Sequence, residues 1–531
     1  MVILLLLVLS SLNSLSSAQS DSLYDNFVQC LAQNNVPNDQ ISRIVYNPTN
    51  PSFTSVLESY IRNRRFNVST TPKPSIIVTP VEESHVSATV LCAKKLGIQL
   101  KIRSGGHDYE GISYVSIVEF VILDMFNFRS INIDMATETA WVGSGALLGE
   151  LYYRISEKSN VHGFPGGVCP TVGVGGHLSG AGYGNMLRRH GLTVDHVIDA
   201  KIVDATGRVL DRKSMGEDLF WAIKGGGGAS FGVILAYKIK LVPVPEVVTV
   251  FRIEKMMNQN ATEAVYQYQT IADKIDNDLF IRVLLQPITR NKIRSVRATF
   301  IGLFLGDANR LLSATDSEFP LLGLKKADCK EMSWIYSVLF WSNFDNTTKP
   351  EVLLSRTPDS VNFLKRKSDY VKTPISKSDL ESLFKKMVEV GKVGMVFNSY
   401  GGRMSEIPES ETPFPHRAGN IFKIQYSVNW EDEGEEADQN YIQQIREMYS
   451  YMAPFVSKNP REAYLNYRDL DIGTTDNGKD SYDQGKVYGV KYFKDNFNRL
   501  VKIKTMVDPD NLFRNEQSIP VLPFRGRKVR K

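Results

Sequence analysis

The chain has 531 residues, enough for about three domain-sized units. Hydrophobic residues make up 42% and charged residues 23%, an ordinary globular composition. The net charge of +5 is small for this length and argues against a nucleic-acid partner, which calls for a basic face and a recognisable motif.

Residues 1–18 read as a signal peptide, with an apolar run from Ile3 to Leu9 and a small-residue cleavage site at Ser16-Ser17-Ala18. No later run approaches the roughly 20 apolar residues that span a bilayer, so no membrane insertion is expected. The destination predicted is extracellular: secreted to the cell wall or apoplast. Three sequons, at Asn67, Asn260 and Asn346, fit export and are expected glycosylation sites. Cys30 and Cys92 lie in apparent amphipathic helices and are paired as a disulfide, although other pairings stay open to sequence. Cys329 is then expected as a buried free thiol.

Residues 73–82 read as a proline-bounded strand, 83–96 as a helix and 99–103 as a strand that runs into Ser104-Gly105-Gly106-His107. Strands at 118–124 and 139–142 and a helix at 146–158 lead to a second glycine turn at 166–177, which contains Cys169. A hairpin at 197–210 turns at Thr206-Gly207, and a strand follows at 232–241. Around Pro243 the texture changes. The organisation expected is a cofactor domain of two segments, 19–243 and 463–523, with a substrate domain at 244–462 between them. The tail at 524–531 holds five basic residues in eight. It reads as a solvated terminus, with weak adhesion to an acidic wall polysaccharide such as pectin as the alternative.

A nucleophilic imidazole and a thiol, each in a glycine turn, suggest a cofactor held at two points. Glycine lets backbone approach a ligand closely, and a strand-to-glycine turn leaves N–H groups free for a phosphate. The glycines do not form a Rossmann fingerprint, and no P-loop is present. Three separate glycine clusters fit FAD, with its pyrophosphate to cradle and its flat ring to seat. No metal site is expected.

In the strand-like run 422–428, Lys423 and Gln425 share one face. Tyr464 and Asn466 are taken as a second such pair, opposite Leu465 and Tyr467. Arg-Ser-Gly-Gly-His-Asp-Tyr-Glu-Gly, Cys-Pro-Thr-Val-Gly-Val-Gly-Gly-His, Asp-Leu-Phe-Trp-Ala-Ile-Lys and Asn-Tyr-Arg-Asp-Leu-Asp together resemble the plant berberine-bridge-enzyme-like flavoproteins. The likeness is collinear over nearly the whole mature chain.

The resemblance implies an α+β fold: a vanillyl-alcohol-oxidase or PCMH-type FAD domain, plus a substrate domain whose antiparallel sheet is covered by helices. It implies FAD joined through its 8α carbon to His107 and through C6 to Cys169. The implied cofactor-binding set continues with Arg103, Ser104, Gly105, Gly106, Gly173, Gly175, Gly176, His177, Gly180, Val233 and Asn466. Tyr464 is the implied catalytic base, Lys423 lies near Tyr183 and lowers the phenol pKa, and Tyr109 and Gln425 line the substrate pocket. A phenol must fall roughly 3–4 units, about 4–5 kcal/mol, to act near neutrality. One cation about 4 Å away supplies about 4 kcal/mol. Alkaloid-cyclising members carry glutamate where Gln425 stands, which argues against C–C closure here. Val172 stands where the family divides, valine accompanying oxygen access to reduced flavin and leucine its exclusion.

The expected protein is therefore a monomeric oxidase that converts an alcohol or hemiacetal of a small molecule or oligosaccharide, with O2 as electron acceptor. A dehydrogenase of monolignol-like allylic alcohols using another acceptor, and a non-catalytic wall-associated flavoprotein, are the alternatives.

Overall fold

The computed structural model describes residues 22–358, 360–476 and 482–523. The expected signal peptide and basic tail lie outside them. Residues 22–33 are helical and carry Cys30, and the helix Glu83–Leu96 carries Cys92. The two cysteines form a disulfide with Cα atoms 5.8 Å apart. Cys329 is free, but it is half-buried where a buried thiol was expected, because it sits on the rim of a core cluster.

The helix Glu83–Leu96 ends where Gly97 takes φ 67°, the left-handed conformation that closes a helix, and Ile98 N donates back to Ala93 O. The chain is thereby turned straight into the strand Gln99–Arg103. That strand and Ile76–Val78 flank Phe120–Asp124 in parallel, and Val45–Tyr46 completes a four-stranded sheet. Every residue of Phe120–Asp124 is buried, as a central parallel strand covered on both faces requires. A five-stranded antiparallel sheet follows in the order Ile131–Asp134, Thr139–Gly143, Val233–Lys240, Val197–Val203, Val209–Leu210. Both of these sheets use only residues before 244.

Residues 248–430 build a separate seven-stranded sheet, antiparallel throughout, in the order Lys330–Met332, Val248–Met256, Ile293–Phe304, Leu279–Arg290, Gly394–Ser399, Phe422–Trp430, Phe363–Val371. The helices Ala261–Ile271, Lys377–Val390 and Glu435–Tyr451 pack on it. In Lys377–Val390 the buried residues are Leu380, Leu383, Phe384 and Met387, the stripe of an amphipathic helix. Ser376 Oγ caps this helix by accepting from Asp379 N at 3.1 Å. The chain then returns: the helices Tyr482–Phe493 and Asn496–Val507 pack together, and the second rests against Arg212–Ile223. No helix among the described residues is long and apolar enough to cross a membrane.

Two residues expected at the cofactor face elsewhere. Leu100, Lys101, Ile102 and Ser104 line the central cavity, but Arg103 does not. Its guanidinium is fully buried, with Nε 3.0 Å from Asp124 Oδ2 and Nη1 and Nη2 donating to the Leu57 and Val56 carbonyls at 2.6 and 2.8 Å. In the strand from Val233, alternation gives Gly232 and Ile234 to the cavity and places Val233 in the N-terminal apolar core. The strand expected around 464–467 is instead a single 3-10 turn, Leu465–Tyr467, closed by Tyr467 N donating to Tyr464 O at 2.9 Å. Arg103→Met leaves Asp124 buried and unpaired, and is expected to cost about 3–5 kcal/mol of stability, read as a lower thermal midpoint.

Candidate active site

The two glycine turns touch backbone to backbone. A Cβ on Gly105 would collide with Gly173 N, and one on Gly173 with Ser104 Oγ and Gly105 N. Gly106 takes φ 68° with no room for a side chain beside the Tyr60 carbonyl. Ser104 Oγ donates to Ser144 O at 2.6 Å and fixes the first turn to the five-stranded sheet. This contact brings His107 and Cys169 to one cavity of about 340 Å³. Its wall includes Ser104, Gly105, Gly106, Gly173, Gly175, Gly176, His177, Gly180 and Asn466, as well as Val172. His107 Nε2 lies 3.0 Å from Thr171 Oγ1. Burial, helped by the Arg62 charge, lowers its pKa to about 3, so the imidazole is neutral at physiological pH. Cys169 is accessible, although the cavity encloses it. Burial raises its thiol pKa, while Arg282 and Arg366 pull it down.

Asn466 crosses between the turns. Its Nδ2 donates to His177 O at 2.9 Å and to Tyr464 OH at 3.1 Å. It packs against Gly180 so closely that any Cβ there would overlap its amide. His177 Nε2 lies 3.0 Å from Thr193 Oγ1, and burial lowers its pKa to about 3, a structural rather than an acid–base histidine.

The seven-stranded sheet supplies the opposite wall through its register. Arg282, Asn398, Lys423 and Tyr370 are successive cross-strand partners. Arg282 Nε donates to Asn398 Oδ1 at 2.8 Å. Gln425 is one step along on the same face and donates to Tyr109 OH at 3.0 Å. Lys423 Nζ is fully buried and has no hydrogen-bond partner among the described residues. It lies 3.3, 3.7 and 4.5 Å from the ring centroids of Tyr183, Tyr464 and Tyr467. The ring faces alone solvate it. Burial, reinforced by Arg282, drives its pKa well below the usual value.

Lys423 does meet Tyr183 as expected. It also lies over the Tyr464 ring, while burial holds that phenol well above the ordinary value and hydrogen bonds with the Asn466 amide and the Gly182 backbone oppose this. The Tyr183 ring meets both Tyr464 and Tyr467 edge-on, at centroid distances of 5.7 and 5.9 Å, and its hydroxyl shares a short hydrogen bond with the Tyr467 hydroxyl. Burial raises both phenols, and Arg282 opposes this in each. Tyr109, pushed up to about 12 by burial, completes the group with its ring 5.8 Å from that of Tyr467. Sequence reasoning missed Tyr467 and Arg282. Tyr467 stood inside the Asn-Tyr-Arg-Asp motif, and Arg282 is one polar residue within an apolar strand.

Residues 461–471 hold these phenols by straddling the edge strand Phe363–Val371. On the cavity side, Ser368 Oγ accepts from Tyr464 N at 2.9 Å. On the other side, Asp469 takes Lys365 at 2.9 Å and Lys367 at 2.6 Å, and Arg461 takes Asp369 at 2.5 Å. Lys365 also pairs with Glu110, three residues after His107.

The family models described as FAD binding domain and as berberine and berberine like match residues 74–212 and 463–520. Berberine bridge enzyme-like 21 of Arabidopsis thaliana is 59% identical over 513 residues, covering 96% of this chain and 95% of that one. The crystal structure of Phl p 4, a grass pollen allergen described as having glucose dehydrogenase activity, is 42% identical with a TM-score of 0.89, covering 94% of this chain and all of that one. A variant of Phl p 4 with one isoleucine replaced by valine is described as a glucose oxidase; it is 43% identical with the same TM-score, covering 94% of this chain and 99% of that one.

The cavity fits FAD. Ser113 Oγ and Ser144 Oγ are buried without partners on residues that line it. A Cβ on Gly176 would meet nothing within 4 Å, so a ligand can lie against bare backbone there. Gly176→Leu is expected to fill that space: the variant should fold with an unchanged far-UV spectrum but purify with little or no flavin absorbance. Sharing more than half its residues with a near full-length Arabidopsis relative, and matched by models for both the cofactor domain and the returning segment, the chain belongs to the berberine-bridge-enzyme-like family of FAD-dependent oxidoreductases acting on CH–OH donors.

Proposed function

We propose that the protein is a secreted oxidase that oxidises an alcohol or hemiacetal carbon of a carbohydrate and passes the electrons to O2, with its flavin attached to both His107 and Cys169. The observation that carries this reading is the meeting of a neutral imidazole and a thiol on the same cavity as a cage of phenols around Lys423. FAD held by His107, Cys169 and the glycine turns would supply the hydride acceptor for the carbinol carbon. Tyr109 and Gln425 orient the substrate hydroxyl. The Tyr183–Tyr467 hydroxyl pair, rather than Tyr464, takes its proton. A phenol and an amine enclosed together ionise most cheaply as a pair, because each charge supplies what burial removed from the other. Lys423 and Arg282 therefore favour a phenolate at the Tyr183–Tyr467 pair, and Tyr464 serves as a wall of the lysine cage.

Glucose oxidation by the Phl p 4 variant supports a sugar substrate, and the half-polar wall of Gln425, Arg282 and Tyr109 suits one. In that protein one isoleucine-to-valine change accompanies the description as an oxidase, so a single methylene can decide the acceptor in this fold. Val172, half-buried on the cavity wall, supports the oxidase reading. The wild-type allergen, described as a dehydrogenase, favours the second reading, the same chemistry with another acceptor. Export is supported by the apolar leader, the disulfide and the exposure of Asn67, Asn260 and Asn346.

An aerobic peroxide screen against sugars, oligosaccharides and aromatic alcohols tests the substrate class. Flavin reduced anaerobically by substrate should reoxidise at once in air; persistence for minutes would refute the oxidase. Val172→Leu should slow that reoxidation and leave the reductive step unchanged. Tyr467→Phe is expected to lower kcat about 10²- to 10⁴-fold, the range for a lost general base. Tyr464→Phe should cost no more than about tenfold, roughly 1.4 kcal/mol; the reverse order would return the base to Tyr464. The base must lose a proton to act, so kcat/KM rises with pH. Lys423→Met removes the cation that favours phenolate and should move that rise to higher pH.

A further inference from the structure

The seven-stranded sheet ends at Lys330–Met332, a three-residue strand whose one sheet neighbour is Val248–Met256. A groove of about 230 Å³ lies beside this edge, with Met332, Tyr336, Phe340, Phe344 and Asn346 on its wall. Tyr336 is 45% exposed. An open sheet edge next to an exposed tyrosine and two half-buried phenylalanines invites association unless something covers it.

Asn346 begins the sequon Asn346-Thr347-Thr348. The sequon forms a turn, with Thr348 N donating to Asp345 O at 3.2 Å and Thr347 N to Asp345 Oδ1 at 2.8 Å. Phe344 stands two residues before the asparagine and lines the same groove. The other sequons lack this arrangement: Arg65 precedes Asn67 by two residues, Asn258 so precedes Asn260, and neither asparagine lines either cavity.

We propose that Asn346 carries an N-linked glycan whose first N-acetylglucosamine lies against Phe344 and Tyr336, closes the groove and covers this end of the sheet. The inference rests on the secretory part of the reading above. In the joining step the Asn346 amide nitrogen bonds to the anomeric carbon of a lipid-linked oligosaccharide diphosphate. One C–N bond forms, one C–O bond breaks, and the lipid diphosphate leaves with the amide proton. A pyranose turns its apolar C–H face to the electron-rich face of an aromatic ring and its hydroxyls to water. That division matches a groove with an aromatic floor and an exposed rim at Lys330 and Asp345.

The test uses full-length protein secreted from a eukaryotic host, with site occupancy read by glycopeptide mass spectrometry. Asn346 should be occupied. A native-state amidase should release its glycan about tenfold more slowly than from Tyr336→Ala protein, in which the sequon is intact; tenfold corresponds to about 1.4 kcal/mol of seating. Asn346→Gln should lower Tm, whereas Asn260→Gln should not. A bare Asn346 on secreted protein, or equal release from both proteins, overturns the inference and leaves the oxidase reading standing. A chain retained in the cell with all three sequons bare overturns the inference and the secretory reading together, while the peroxide screen still judges the chemistry.

Discussion

The arrangement of the site depends on one buried ionic contact, the pairing of Asp469 with Lys365 and Lys367 on the edge strand Phe363–Val371. Buried ion pairs are seldom a net source of stability, because desolvating the charges consumes most of the attraction. What this contact supplies is position. Lysines at 365 and 367 alternate onto one face of the strand, and Ser368 onto the other. A segment gripped on both faces of a strand cannot slide along it. Tyr464, Asn466 and Tyr467 therefore stand at fixed heights over Lys423. Through Lys365 and Glu110, the same charges reach the loop that carries His107 and Tyr109. Glycine turn, phenol turn and seven-stranded sheet come from three distant parts of the chain, and this cluster joins them.

Enclosure has two opposed effects within the site. It makes the phenols and Lys423 reluctant to ionise singly, as the upward and downward pKa shifts record. The same low polarity strengthens attraction between opposite charges once they form together. The cost of an unpartnered buried ammonium is met by three ring faces rather than by oxygen acceptors. Among the described residues no carboxylate pairs with Lys423, so its amine is left to share a proton with a neighbouring phenol.

The glycine turns were legible because their demand is local. A strand running into Gly-Gly-His, or a cysteine before Thr-Val-Gly-Val-Gly-Gly, announces close backbone approach within a few residues of sequence. The helix Glu83–Leu96 and the hairpin around Thr206-Gly207 were readable for the same reason: period and turn residues are short-range properties. Tyr467 was not legible. Counting alternate residues placed it opposite Tyr464, but a 3-10 turn has no alternation, and both rings face Lys423.

The sequence by itself determined the family, the FAD-binding character and the glycine turns that present His107 and Cys169. Each of these rests on contiguous motifs or on residue types with few options. Only the tertiary structure decided that the Arg103 and Val233 side chains are buried away from the cavity, that Arg282 joins Lys423 in one cross-strand row, and that the Tyr183 hydroxyl bonds to Tyr467 rather than to Tyr464. The reason is physical: which face of a strand is inward, and which residues are opposite one another, follow from pairing with strands remote in sequence, and local pattern carries no record of that register.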